Sequence, residues 1–281
     1  MLKKILIYLL LAIVVVFLVI FGFGNIYHAY NLPYRPNEIG DSAGLLNSFF
    51  SGIALILVII TIFIQKKDLN LQQEELKSTR KELSKQRFEN TFFNMLRTQD
   101  KIIYNLEIGM EGCDSYRAGI RVFKELYDIL TKALVPFFLY PPFTKENIVS
   151  AYASCTELKI LDHYFRHMYR IVKFVNETDF SFCLDDEEDK NKIKEEKIKK
   201  IKHEKYQYTS ILRATLSPYE LVLLFYNCLN EENKFRPLIE EYCLLQNIRS
   251  EFLKKDILAF YKNNAYGNKY EDIKQELENK V

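Results

Sequence analysis

Two long apolar runs open the chain, from about Ile5 to Phe23 and from about Leu45 to Ile64, and neither carries a charged side chain. A helix rises about 1.5 Å per residue, so each run reaches about 30 Å, the thickness of a bilayer's hydrocarbon core. Past Gln65 the pattern changes, and charged residues alternate with apolar ones at helical spacing. Ile62, Leu69, Leu76 and Leu83 recur at every seventh residue, which carries the second apolar helix onward as a stalk over 65–87. The other heptad core positions hold Gln72, Thr79 and Gln86, a poor seam for a coiled coil. A stalk packed on its own domain satisfies this repeat; a homo-oligomer formed through the stalk or the spans is the alternative.

The helical period persists downstream. Phe88, Phe92, Met95, Leu96, Ile102, Ile103 and Leu106 form one apolar face over Phe88–Leu106, and Gly109–Ser115 interrupts it. A second amphipathic helix is expected over Gly119–Ala133, stopped by Pro136 and by the Pro141-Pro142 pair. Lys145–Val175 reads as one long helix or two with a bend. In the stretch 185–205, 16 of 21 residues are Asp, Glu, Lys or Arg, with an acidic run before a lysine-rich tract. It reads as a solvated insertion, with a basic handle for anionic lipid or RNA as the sharper reading. Ser217-Pro218-Tyr219-Glu220 places Ser at an N-cap, Pro at N1 and Glu at N3, so a capped helix follows over Pro218–Leu229. Further helices are expected over Phe235–Leu245 and Ser250–Lys262, with a charged helical tail from Tyr270. The expected fold is therefore all-α: a two-helix transmembrane hairpin (1–64), the stalk, and a helical cytoplasmic domain over 88–281.

Charge orients the hairpin. Lys3 and Lys4 precede the first span and Lys66 and Lys67 follow the second, while the loop between carries Arg35 against Glu38 and Asp41. Positive flanks collect on the cytoplasmic side, so both termini are expected there, in a multi-pass membrane protein. A cleaved signal peptide is the rival, but its apolar region would exceed the usual length of about 7–15 residues. Tyr27, Tyr30 and Tyr34 suit the headgroup layer beyond the first span.

Composition narrows the chemistry. Nine glycines and seven prolines in 281 residues leave little punctuation for hairpins, which favours helices. A net charge of +2 offers no global basic excess to attract nucleic acid. Cys113, Cys155, Cys183, Cys228 and Cys243 show no metal-type spacing and are expected to be reduced thiols. No phosphate loop, nucleophile elbow or zinc-protease motif occurs, and no metal or cofactor is expected.

One constellation asks for explanation. His163, Arg166, His167 and Arg170 fall at i, i+3, i+4 and i+7 and share a helix face, opposite Leu161, Phe165, Met168, Val172 and Val175. Such a helix buries its apolar side and aims a cationic stripe at something negative. Glu89, Asn90 and Asn94 on one helix, and Glu220 and Asn227 on the capped helix, are candidate partners; Arg213 adds a further cation. The stripe reads either as a polar network between helices or as a pocket for a phosphate-bearing ligand, since arginine forks suit phosphate oxygens. A zinc pair from His163 and His167, or ribonuclease chemistry from His and Arg, are further alternatives.

At these residues the chain resembles a phage abortive-infection family, the AbiC-like proteins. FENTFFNMLR (88–97), HYFRHMYRIVKF (163–174) and LRATLSPYELVLLFYN (212–227) carry the resemblance, and the paired N-terminal spans match the family's layout. The similarity extends over most of 1–245, excluding the charged insertion and the tail after Tyr242. It implies a role in anti-phage defence, in which infection leads to growth arrest or death of the infected cell, and it implies no reaction. The motif positions are Glu89, Asn90, His163, Arg166, His167, Arg170, Arg213, Ser217, Glu220 and Asn227. The expected protein is a membrane-anchored defence protein, sensor or effector, with no evident catalytic motif. An enzyme acting on RNA or a nucleotide at the His/Arg stripe, or a membrane scaffold for another defence protein, are the alternatives. Expected partners are the lipid bilayer, a phosphate-bearing ligand, and a phage or host protein.

Overall fold

The computed structural model describes residues 14, 17, 20–22, 36–109, 116–139, 144–184 and 193–279. The chain divides into two compact units, Met1–Glu75 and Leu76–Val281. It is mostly helical, as the apolar periodicity requires.

In the first unit, the described residues of the first apolar run are helical, and so is the chain from Pro36 onward in helix α1 (Pro36–Tyr104). The Phe17 ring stacks on Phe49 with centroids 4.5 Å apart and meets Phe50 edge-on. The two apolar runs therefore touch. Among the described residues, one helix is long and apolar enough to cross a membrane by length and composition; its best window has a mean hydropathy of 2.4 and none of it is buried. Most of the first expected span lies outside the described residues, as do its lysine flank and the three loop tyrosines.

The second unit begins on α1. Phe88 and Phe92 are buried and join an aromatic cluster: Phe88 stacks on Phe174 at 5.2 Å and meets Tyr208 edge-on at 4.7 Å. After α1 comes a short antiparallel pair, β1 (Glu107–Gly109) and β2 (Tyr116–Ala118), with Ile108 opposite Arg117. It occupies the place where the sequence shows only a break. Gly119 follows with φ +63, a left-handed turn that its lack of Cβ permits.

Helix α2 (Arg121–Leu139) buries Val122, Phe123, Leu126, Leu130 and Leu134. It runs through Pro136, where a stop was expected. In the last turn proline removes only one backbone donor, and the buried leucines before it hold the helix. The Pro141-Pro142 pair lies outside the described residues.

The stretch Lys145–Val175, expected as one long helix or two with a bend, is two α-helices joined by a 3₁₀ segment: α3 (Lys145–Ser154), the segment Thr156–Leu161 and α4 (Asp162–Glu177). The break falls at Cys155, whose ψ of 95° is extended. Ser154 and Cys155 both turn their side chains back to the Ala151 carbonyl, which competes with helix continuation. Helix α5 (Ile193–Thr215) takes up much of the charged insertion; 185–192 lies outside the described residues.

Helix α6 (Pro218–Asn227) starts on the expected capping box. Ser217 Oγ accepts the Glu220 N–H at 3.3 Å, and Glu220 Oε2 accepts the Ser217 N–H at 2.8 Å. Helices α2 and α3 pack on α6, and α4 packs on α5. Beyond α6 the expected helices shorten to α7 (Arg236–Glu241) and α8 (Lys255–Leu258), with 3₁₀ turns between; α9 (Tyr270–Glu278) closes the described chain. Helix α7 ends because Cys243 takes φ 53 and Leu244 N–H reaches back to the Ile239 carbonyl. This is the closing geometry that usually selects glycine.

Within the second unit the stalk leucines are open: Leu76 is 56% and Leu83 44% exposed, so the expected packing of these two on their own domain does not occur.

Candidate functional site

Helix α4 divides its residues as its period demands. Phe165, Met168, Val172 and Val175 face the core, together with Tyr164 and Ile171. His163, Arg166 and Arg170 are exposed, and His167 is partly buried. The stripe is thus a real face of the helix, but its four members do not act as one group. His167 donates its Nε2 proton to the Met95 carbonyl on α1 at 3.0 Å, since a carbonyl can only accept.

Three of the residues expected opposite the stripe, Glu220, Glu89 and Asn227, bond to tyrosines instead. Glu220 is 1% exposed and takes the Tyr164 hydroxyl proton on Oε1. Glu89 accepts the Tyr208 hydroxyl at 2.9 Å, while Asn90 is exposed. Asn227 donates to the Tyr152 hydroxyl at 3.0 Å. Arg213 is buried to 9% exposure and serves the fold. Its Nη1 donates to the Cys243 carbonyl at 3.2 Å, and the guanidinium lies over the Tyr206 ring at 5.3 Å. A strained left-handed residue and its arginine clamp therefore share one contact.

Burial governs the titration of the groups beside these. The Tyr164 hydroxyl is pushed well up by loss of solvent and by the adjacent Glu220 charge. Tyr152 and Tyr208 rise for the same leading reason, with Glu89 adding to the second. The thiols of Cys155, Cys183, Cys228 and Cys243 are free, and burial raises each, which makes poor nucleophiles of them. Among the described residues no three His, Cys, Asp or Glu side chains gather as a metal-ion cage.

One stripe residue does meet α6. Arg166 and Asp162, from α4, line a cavity of about 260 Å³ with Asn227 at the end of α6 and Lys234 from the following loop. Tyr169 and Phe235 form its aromatic wall, edge to face at 5.7 Å. The loop is set by asparagines: Asn233 Oδ1 accepts the Phe235 N–H at 2.9 Å, its Nδ2 donates to the Asn227 carbonyl, and Asn230 Oδ1 accepts the Glu232 N–H. A second cavity of about 400 Å³ shares Asn227 and Asn233 and is walled by Tyr152 and Tyr226. Two cations, Arg166 and Lys234, against the single Asp162 carboxylate leave the lining net positive, so the cavity can hold an anion that carries a flat or apolar group. Lys234 was not singled out from the sequence; only the fold of the 228–235 loop brings it to Arg166.

These features define a mostly helical protein in which, among the described residues, one helix is long and apolar enough to cross a membrane. Residues 156–253 match the model of the family described as "Putative phage abortive infection protein", and over that stretch the chain is AbiC-like. The match covers α4 through α7 and two of the three motifs that carry the resemblance, at 163–174 and 212–227; the third, at 88–97, lies outside it. It also runs across the charged insertion and past Tyr242, further than the sequence motifs reach. No curated protein and no solved structure matches the chain. The match over this stretch, about a third of the chain, supports a link to anti-phage defence in general.

Proposed function

We propose that the protein is a membrane-anchored anti-phage defence protein, a sensor or effector of abortive infection. In this reading the apolar runs form a two-helix hairpin in the bacterial inner membrane, with both termini and the helical domain in the cytoplasm. The observation that carries it is the coincidence of the AbiC-like stretch with the Arg166–Lys234 cavity, in a chain whose α1 exposes a bilayer-length apolar segment. The cavity is the recognition site of this reading, and its cations suit a phosphate-bearing ligand.

Phage challenge of cells carrying the wild type, Arg166→Ala, or a deletion of residues 1–64 tests it. Arg166 is exposed, so its truncation should change stability by no more than about 0.5 kcal/mol. Both variants should be produced and folded, and both should lose protection. Full protection by the deletion would remove the membrane from the account. Full protection by Arg166→Ala would remove the cavity.

A further inference from the structure

Helix α1 divides into two faces beyond its apolar segment. Phe88, Phe92 and Gln99 on one face are buried in the domain. On another, Leu69, Leu76, Leu83 and Phe93 are exposed, the last to 43%. Placing the leucines at heptad position a puts Gln72, Thr79, Gln86 and Phe93 at d. Phe88 then falls at f, and Phe92 and Gln99 at c, away from the seam. The register that describes the open stripe therefore also describes which residues the domain has taken.

Charge identifies what covers the stripe. In this register Glu75 and Glu82 hold g positions, and the e positions that follow them hold Arg80 and Arg87. One heptad on, a becomes Asn90 and the g residue Glu89 is taken by the Tyr208 hydroxyl of its own domain, so the charged seam ends at Arg87. In a parallel pair of helices each g residue faces the next e residue of the partner, five positions on. Glu75 then meets Arg80, and Glu82 meets Arg87, twice each by symmetry. An antiparallel pair would set g against g and e against e, Glu on Glu and Arg on Arg. We infer that α1 pairs in parallel with α1 of a second copy of this chain, over about Leu69 to Arg87. The polar d residues make the seam weak by itself, and they penalise slipped registers. Two copies held in one membrane present α1 in the same direction and at high local concentration, which strengthens a weak parallel contact. That last point rests on the proposed anchoring; the charge register does not.

The test uses the full chain in membranes, with two differently tagged copies. Wild type should capture wild type after mild solubilisation. Glu75→Arg with Glu82→Arg should lose at least ten-fold of its self-capture, and so should Arg80→Glu with Arg87→Glu. Mixing the two variants restores every g–e contact, and capture should return to the wild-type level. Absence of wild-type capture, or self-capture of either variant at the wild-type level, would overturn the pairing. An independent measurement uses single exposed positions. Thr79→Cys, at d, should form an intermolecular disulfide at least five-fold more readily than Glu74→Cys, at the outward f position. Equal yields at the two positions would also overturn it.

Discussion

The Tyr164 hydroxyl on α4 donates a hydrogen bond to the Glu220 carboxylate in the first turn of α6. Glu220 is at once the N3 residue of the capping box and the polar tie between two core helices. Its second oxygen is taken by the Ser217 N–H. Gln99 of α1 approaches the same point, its Nε2 donating to the Tyr164 carbonyl at 3.5 Å, while its Oε1 is buried without a protein partner.

Removing the tyrosine hydroxyl leaves this buried carboxylate one donor short. Tyr164→Phe should lower stability by about 1.5–3 kcal/mol, the worth of a hydrogen bond to a charged group. Glu220→Ala should lose about 1 kcal/mol more, because the reciprocal cap goes with it. Thermal unfolding of the full chain in detergent, with Ser217→Ala as the cap-only comparison, measures both. A Tyr164→Phe protein as stable as wild type would mean the pair contributes nothing.

Arg213 holds the carbonyl of Cys243, a non-glycine residue in the left-handed region. Arg213→Ala should destabilise by about 2–3 kcal/mol, and Arg213→Lys should recover less than half of that, since an ammonium cannot span Cys243 and Tyr206 as the fork does. If lysine restores full stability, charge alone matters there, and the fork geometry does not.

Stability should also fall in alkali. Burial pushes the Tyr242 hydroxyl up to about 12, and its proton is donated to Asn176 Oδ1 at 2.7 Å. Tyr261 rises further for the same reason and donates to the Phe225 carbonyl at 2.9 Å. An unfolded tyrosine ionises near about 10. The folded chain therefore binds these protons more tightly; the Tyr242 contribution is complete below about pH 10 and is lost as pH rises through about 12, and Tyr261 carries the loss on to higher pH. Tyrosinate absorbance and loss of helical circular dichroism should rise together in that window. Ionisation of the whole tyrosine set with the helices intact would show that these hydroxyls are not sequestered.

Sequence alone carried the features that depend on near neighbours. The box at Ser217–Glu220 is four consecutive residues making two local bonds. The apolar face of α4 needs only a period of 3.6, and the bilayer-length runs need only length and the absence of charge. The AbiC-like motifs at 163–174 and 212–227 were legible for the same reason, as short strings of residue types.

The tertiary structure decided what each polar side chain meets. His163, Arg166, His167 and Arg170 share a face by spacing, yet His167 is spent on the Met95 carbonyl and only Arg166 reaches the cavity. Glu220 and Arg213 look like a cation's partner and a free cation in the sequence; the fold gives one to a tyrosine from 56 residues away and the other to a strained turn. Lys234 joins Arg166 in the cavity lining only because the Asn230 and Asn233 side chains set the turn of the 228–235 loop. The leucine repeat shows the same division of labour. Its period is written in the chain, but whether the domain or solvent takes that face depends on which side of α1 the aromatic cluster around Phe88 captures. Periodicity sets a residue's direction on its own helix, and only packing between distant segments sets what stands opposite it.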